Sequence, residues 1–390
     1  MKKIFIQSIL LWLSFAASGQ GPQLNLSHVT LPKDSMVARQ LIFSLNGFLR
    51  QKDKPHAENT FVWPQKKTET FIEIDELHGI EKKDGSKDEH FYKPQLNNIV
   101  RLNDSTYLTQ ISYIGLENNT PSLKASFDFI AHKTRLGFLI SSPLSLNTKT
   151  WKTKTIHNCT FHYKVEATEK ALAEYEKKIM LLDKKLGVVN RKNTIYLCEN
   201  FPEVLHLVGV NYKADYSGVP ENRLTCKEED FLLIDGLYYG DGIFDPHDLW
   251  HDRMANVLNR DAINKPVDEG CAYLFGGSGG ITWREIFKKF EKDIASNKNL
   301  NWLEEYGKFR NFGVSDERHL FPEYVINALL VKKIEKEKGF NAVIDFLSCG
   351  KYENTNENYF KALEKATGIT RSNFNREVWN LVLKEAKWKL

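Results

Sequence analysis

His247 and His251 stand four residues apart and Glu269 follows eighteen residues later; these are the side chains whose types and spacing could do chemistry together. Asp245 is a favourable N-cap, and Pro246 suits a first helical position, where its missing N–H has no partner to lose. A helix starting there puts both imidazoles on one face, one turn apart, within reach of a single metal ion. Pro266 opens a second helix, and Glu269 in its first turn can add a carboxylate oxygen. Two nitrogens and one oxygen leave the fourth zinc position open for water, which is the pattern of a catalytic site and not of a closed structural one. Asp248 directly follows the first histidine. As a general base it must come within about 2.6–3.2 Å of the proton it takes. As a first-turn charge it would complement the helix dipole. Asp252 and Asp268 are candidates for orienting a ligand imidazole, or else solvated carboxylates.

Eleven histidines in 390 residues make one H-x-x-x-H pair unsurprising, so its context matters. The preceding elements supply that context. A strand from Cys159 to Val165 leads into a helix from Ala167 to Leu186, with Leu172, Tyr175, Ile179, Leu182 and Leu186 as its apolar stripe and Gly187 as C-cap. Strands are expected at Asn193–Cys198 and Asp230–Ile234, then a glycine- and tyrosine-rich connector from Asp235 to Phe244. Past Glu269 the periodicity is helical over Thr282–Ile294, Pro322–Lys338, Asn341–Leu347, Glu357–Thr367 and Ser372–Lys387. The run Gly276 to Gly280 lacks a Walker lysine and is expected to be a flexible loop near the cleft, not a phosphate cradle.

Lys2 and Lys3 before the apolar run Ile4 to Ala17, then Ala17-Ser18-Gly19, predict an export signal over residues 1–19. No later segment reaches eighteen consecutive apolar residues, so no membrane span is expected and the mature chain should be soluble, periplasmic or extracellular. Residues 20–34 read as an exposed leader, 35–149 as an α+β domain and 150–390 as the domain carrying the histidines. In the first domain an amphipathic helix over Ser35–Arg50 precedes strands at Phe71–Leu77, Asn98–Leu102, Tyr107–Ile114, Leu123–Ala131 and Leu136–Ile140. Asn103-Asp104-Ser105 and Glu117-Asn118-Asn119 mark turns between them. A helix followed by an antiparallel meander resembles the nuclear-transport-factor-two-like (NTF2-like) cone in element order. His56, His78, His90 and His132 are scattered there and read as surface or core histidines.

The formal charge is +4, or +2 without Lys2 and Lys3, so neither nucleic acid nor an anionic membrane is expected as a partner. Five cysteines in an exported chain permit up to two disulfides, with Cys198–Cys226 as first choice and Cys271 in the core. The lack of a C-x-x-C spacing argues against a cysteine zinc cluster.

His247-Asp248-Leu249-Trp250-His251, followed by Glu269-Gly270-Cys271-Ala272-Tyr273, resembles the gluzincin zinc metallopeptidases. These are the peptidase MA-like domains related to thermolysin and to the aminopeptidases of that clan, whose pattern is H-E-x-x-H and then E-G-x-A on the next helix. The likeness covers about residues 150–388, including the tail around Tyr324, Phe360, Thr367, Gly368, Phe374 and Trp379. It implies a zincin-like domain with a small sheet and a mostly helical C-terminal part. It implies Zn2+ at His247, His251 and Glu269, a peptide or protein substrate, and an oxyanion-stabilising donor, for which Tyr324 and His319 are candidates. One residue departs from the pattern: the base position holds Asp248 and not glutamate, one methylene shorter. The expectation is therefore an exported zinc-dependent hydrolase of peptide bonds with Asp248 as base. The alternatives are a catalytically degenerate metallopeptidase-like binding or scaffold module, and a partner-binding protein whose N-terminal domain does the work.

Overall fold

The computed structural model describes residues 23–164, 167–188, 191–218, 223–228, 230–236, 244–295, 299–313 and 319–387. The expected export signal and most of the 235–244 connector lie outside these residues. In chain order the strands and the helices longer than one turn are α1 (Ser35–Arg50), α2 (Lys67–Leu77), β1 (Lys93–Arg101), β2 (Thr106–Glu117), β3 (Thr120–Lys133), β4 (Phe138–Ser141), β5 (Lys152–Ile156), β6 (Cys159–Tyr163) and α3 (Glu169–Leu186). Then follow β7 (Asn193–Leu197), α4 (Phe201–Leu207), β8 (Val210–Lys213), β9 (Arg223–Cys226), β10 (Phe231–Asp235), α5 (Pro246–Met254) and α6 (Lys265–Gly276). The rest is helical: α7 (Trp283–Ile294), α8 (Pro322–Lys338), α9 (Phe340–Leu347), α10 (Glu357–Thr367) and α11 (Phe374–Ala386). The protein is thus α+β, with an antiparallel meander and a helical C-terminal part. Among the described residues no helix is long and apolar enough to cross a membrane.

The chain forms two compact units. The first takes the residues up to Trp151 together with Asn200–Glu228 and Leu232–Gly236, and the second takes the remainder, so residues 200–228 join the unit that precedes them in sequence. In the first unit β1 to β4 run as an antiparallel meander, and β8 adds to β3 through Ala125↔Lys213 and its neighbours. Asn118 and Asn119 both take positive φ at the β2–β3 hairpin, a left-handed pair that matches strand twist. α1 starts on Asp34, whose carboxylate accepts the Met36 and Val37 amides, and buries Leu41, Leu45 and Phe48. Phe48 meets Phe129 of β3 edge-on at 5.4 Å.

α2 corrects the expected strand at Phe71–Leu77. Phe71, Ile72, Ile74 and Leu77 are buried, and so are Glu69, Glu73 and Glu76 on the remaining sides. A helix covered nearly all round shows no one-sided period, and its β-branched and aromatic residues then imitate a strand. Its glutamates are handled differently. Glu76 accepts from Lys213 Nζ and Tyr216 Oη, both at 2.8 Å, and Glu69 accepts from Ser145.

In the second unit β5 and β6 form a hairpin, and β6 pairs in parallel with β7 after the α3 crossover. α3 begins on Thr168, which accepts the Ala171 amide, and ends on Gly187 at φ 70°, as its sequence requires. α8 is the central C-terminal helix, buried at Val325, Ile326, Ala328 to Val331 and Ile334. α7 opens with a reciprocal capping box between Thr282 and Glu285. All five cysteines are thiols, four of them buried, so the Cys198–Cys226 disulfide is not formed; Cys271 lies in the core as expected.

Candidate metal centre

The histidine helix α5 is fixed at both ends. At its start Asp245 Oδ1 accepts the His247 amide at 2.8 Å, with Pro246 in the first turn. At its end the fully buried Arg253 grips Asp183 of α3 with Nε at 2.7 Å and a terminal nitrogen at 2.5 Å, and donates to Asn193 at 2.6 Å. Its guanidinium lies over the Phe231 ring. Such a fork is a rigid clamp, because both carboxylate oxygens and the guanidinium plane are committed.

α6 is set against α5 and α8 by two glycines. A Cβ on Gly276 would stand 2.3 Å from the Pro246 carbonyl oxygen and 2.4 Å from the His247 nitrogen. A Cβ on Gly270 would stand 2.6 Å from Asn327 Cβ and 2.8 Å from the Ala328 nitrogen. A side chain at Gly276 would push apart the two helices that carry the ligand residues, and one at Gly270 would push the Glu269 helix off α8.

His247, His251 and Glu269 converge. Their Nε2, Nε2 and Oε2 atoms are 3.2, 3.5 and 4.0 Å apart, and they are the described residues grouped so that they could hold a metal ion. The tautomers follow from the partners. His247 Nδ1 is 2.7 Å from the Gly277 carbonyl oxygen, and His251 Nδ1 is 2.9 Å from Asp268 Oδ2. A carbonyl or carboxylate only accepts, so each Nδ1 carries a proton, and a neutral ring held this way presents its lone pair at Nε2. With both rings neutral, two lone pairs and a carboxylate oxygen face one another, an arrangement that could take up a cation. A tetrahedral centre with bonds of about 2.0–2.1 Å has edges of about 3.3–3.4 Å, so the donor set fits a zinc-sized ion.

The electrostatics agree with that geometry. Burial opposes charge at all three groups, yet each is drawn toward its charged form. At His251 burial is overcome by Asp268 and then by the Glu269 and Asp248 charges, which push its pKa up to about 9. At His247 burial is overcome by Glu269, and at Glu269 by the two imidazoles, which hold the carboxylate below its ordinary range.

Asp268 also accepts the indole N–H of the buried Trp250 at 2.8 Å, so of the two candidate orienting carboxylates it is the one placed on a ligand ring. Both ligand Nδ1 atoms are engaged by Gly277 and Asp268, and Asp252 is buried elsewhere on α5. Asp248 sits partly buried in the first turn of α5. Tyr324 is 8% exposed and packs against Tyr273 at 5.5 Å; burial and then the Glu269 charge raise its phenol pKa. His319 is exposed, with its carbonyl oxygen accepting from the Tyr273 hydroxyl at 3.3 Å. His56, His78, His90 and His132 take no part: they face Asp75 and Glu228, Asp53, Glu81, and Ser141.

Sequence reading missed the role of Gly277. The glycine run expected as a flexible loop is a tight turn, with Gly277 at φ 84° and Ser278 bridged to Ile281. Its working atom is a backbone carbonyl, which leaves no side-chain signature beyond the glycines that permit the turn. No protein-family model and no curated protein matches this chain.

Proposed function

We propose that the chain is an exported zinc-dependent metallopeptidase-like hydrolase that cleaves peptide bonds at the His247/His251/Glu269 centre. The observation that carries this reading is the convergence of two Nε2 atoms and one carboxylate oxygen at 3.2–4.0 Å, with both Nδ1 atoms tied back. Zinc held there supplies Lewis acidity that makes water a nucleophile at neutral pH. Gly277 and Asp268 keep the imidazoles in the ligand tautomer, and Asp268 also keeps the His251 ring basic. Asp248 accepts the proton of the attacking water and returns it to the leaving amine. The basic, apolar first nineteen residues support export. The resemblance to gluzincins supports the substrate class.

A second reading is favoured by one observation: Asp248 occupies the base position with a side chain one methylene shorter than glutamate. On that reading the protein keeps zinc as a binding or scaffold module and has lost turnover. Zinc content of the purified full chain, beside His251→Ala and Glu269→Ala, tests the common part. Near-stoichiometric zinc that disappears in both variants is expected, and a native protein that refuses zinc rejects both readings. Peptide hydrolysis by native, Asp248→Glu and Asp248→Asn proteins then separates them. Activity in the native chain lost in Asp248→Asn fits the enzyme, whereas activity only in Asp248→Glu fits the degenerate module.

A further inference from the structure

The helices α9 and α10 leave a cavity of about 750 Å³ between them, within the range of roughly 300–1,000 Å³ usual for small-molecule sites. Lys338 Nζ donates to the Lys365 carbonyl oxygen at 3.1 Å, and Asn358 Nδ2 donates to that of Lys351 at 2.8 Å, so the two helices run in opposite directions. Asn358 and Lys365 both line the cavity, which therefore extends for roughly 10 Å along α10 at the rise of an α-helix.

The cavity is open because its walls are small. Ala342 on α9 and the partly exposed Ala362 on α10 end at Cβ, where longer side chains would close the notch. The buried Phe346 and Ala366 form its floor. Cys349 lines the Asn358 end, and burial pushes its thiol pKa up to about 11, so it stays neutral and adds apolar surface.

The two ends differ in charge. At one end both amide atoms of Asn358 are already used, Nδ2 on Lys351 and Oδ1 on the Tyr359 amide at 2.7 Å. At the other end Lys338 and Lys365 line the cavity, with Lys361 one turn back on α10. Against these three exposed lysines stands one lining carboxylate, Asp345, at 3.8 Å from Lys365 Nζ. Among the described residues Lys361 pairs with no carboxylate. An apolar trough with surplus positive charge at one end matches a molecule with an aliphatic tail and an anionic head.

We propose that the groove between α9 and α10 binds a free fatty acid, its chain along Ala342, Phe346 and Ala362 and its carboxylate at Lys338, Lys361 and Lys365. The groove shares no residue with the metal ligands, so the proposal stands or falls apart from the metallopeptidase reading.

Calorimetric titration of the full chain with octanoate, decanoate and decyltrimethylammonium tests this. Decanoate should bind about fourfold tighter than octanoate, the gain from burying half of each added methylene. The cation carries the same chain with opposite charge, and it should bind roughly tenfold weaker than decanoate. Ala362→Phe fills the notch and should abolish decanoate binding. Lys361→Glu combined with Lys365→Glu should weaken decanoate by roughly tenfold and strengthen binding of the cation. Thermal melting shows whether each variant is folded, and the exposed lysine pair keeps the test valid if Ala362→Phe is not. No decanoate binding to the native protein, equal affinity for decanoate and the cation, or decanoate binding unchanged in the folded variants overturns the proposal. Capture by phosphatidylglycerol vesicles without any response to free decanoate overturns it as well, and makes this face a membrane contact instead.

Discussion

Asp268 joins His251 to Trp250: one carboxylate takes the imidazole Nδ1–H at 2.9 Å and the indole N–H at 2.8 Å. Ring orientation and helix docking therefore depend on one side chain. Asp268→Asn, nearly the same in shape, should keep the fold but weaken zinc binding by about 10–100-fold, the usual effect of losing a partner behind a metal ligand. Competition against a chelator of known affinity measures this. An unchanged affinity would show that His251 orients itself.

Metal uptake should release protons. The His251 pKa of about 9 means that the metal-free site holds a proton at pH 7, and a metal ion must displace it. Apparent zinc affinity should rise from pH 6 to 9. Without metal the sign is opposite. A histidine raised above its ordinary 6.5 contributes stability that is complete below pH 6.5 and is lost as pH climbs through about 9. Calorimetry in two buffers of different ionisation heat reads the proton directly, and zero release at pH 7 would mean that the free ring is neutral.

Gly270→Ala should lower stability by about 1–3 kcal/mol, the range for overpacking, because the new methyl meets Asn327 Cβ at 2.6 Å. It should also reduce zinc content, since the displaced residue adjoins Glu269. Urea denaturation with and without zinc separates the two effects. A fully stable, zinc-replete variant would show that α6 and α8 have slack between them.

The first unit should lose stability as pH rises toward neutrality. Burial pushes the Glu69 pKa to about 7, against the pull of Lys66 and Ser145. Burial, and then the Asp128 and Glu69 charges, raise Glu73 well above its ordinary value. A raised carboxyl contributes stability that is full below about pH 4.5 and is lost as pH passes through the folded value, here about 7. For Glu69 this amounts to about 3 kcal/mol. Glu69→Gln should flatten the melting temperature between pH 5 and 7, and an unchanged profile would assign the slope to other groups.

The features legible in the sequence are local. The Asp245–Pro246 start, the i, i+4 imidazoles, Gly187 as C-cap and the Asn118–Asn119 turn each depend on a few consecutive residues, whose backbone geometry is the same wherever they are found. Even α2 escaped that reading, because a helix buried on every side has no period to display.

Whether Glu269 meets the two histidines is a different kind of question. It depends on Gly276 letting α6 touch the start of α5, on Gly270 admitting α8, and on Arg253 clamping α5 to Asp183 seventy residues earlier. The residue types that make a metal site possible are written in the chain. Their convergence and the position of the Gly277 carbonyl come from helix packing between distant segments, which no stretch of neighbouring residues contains.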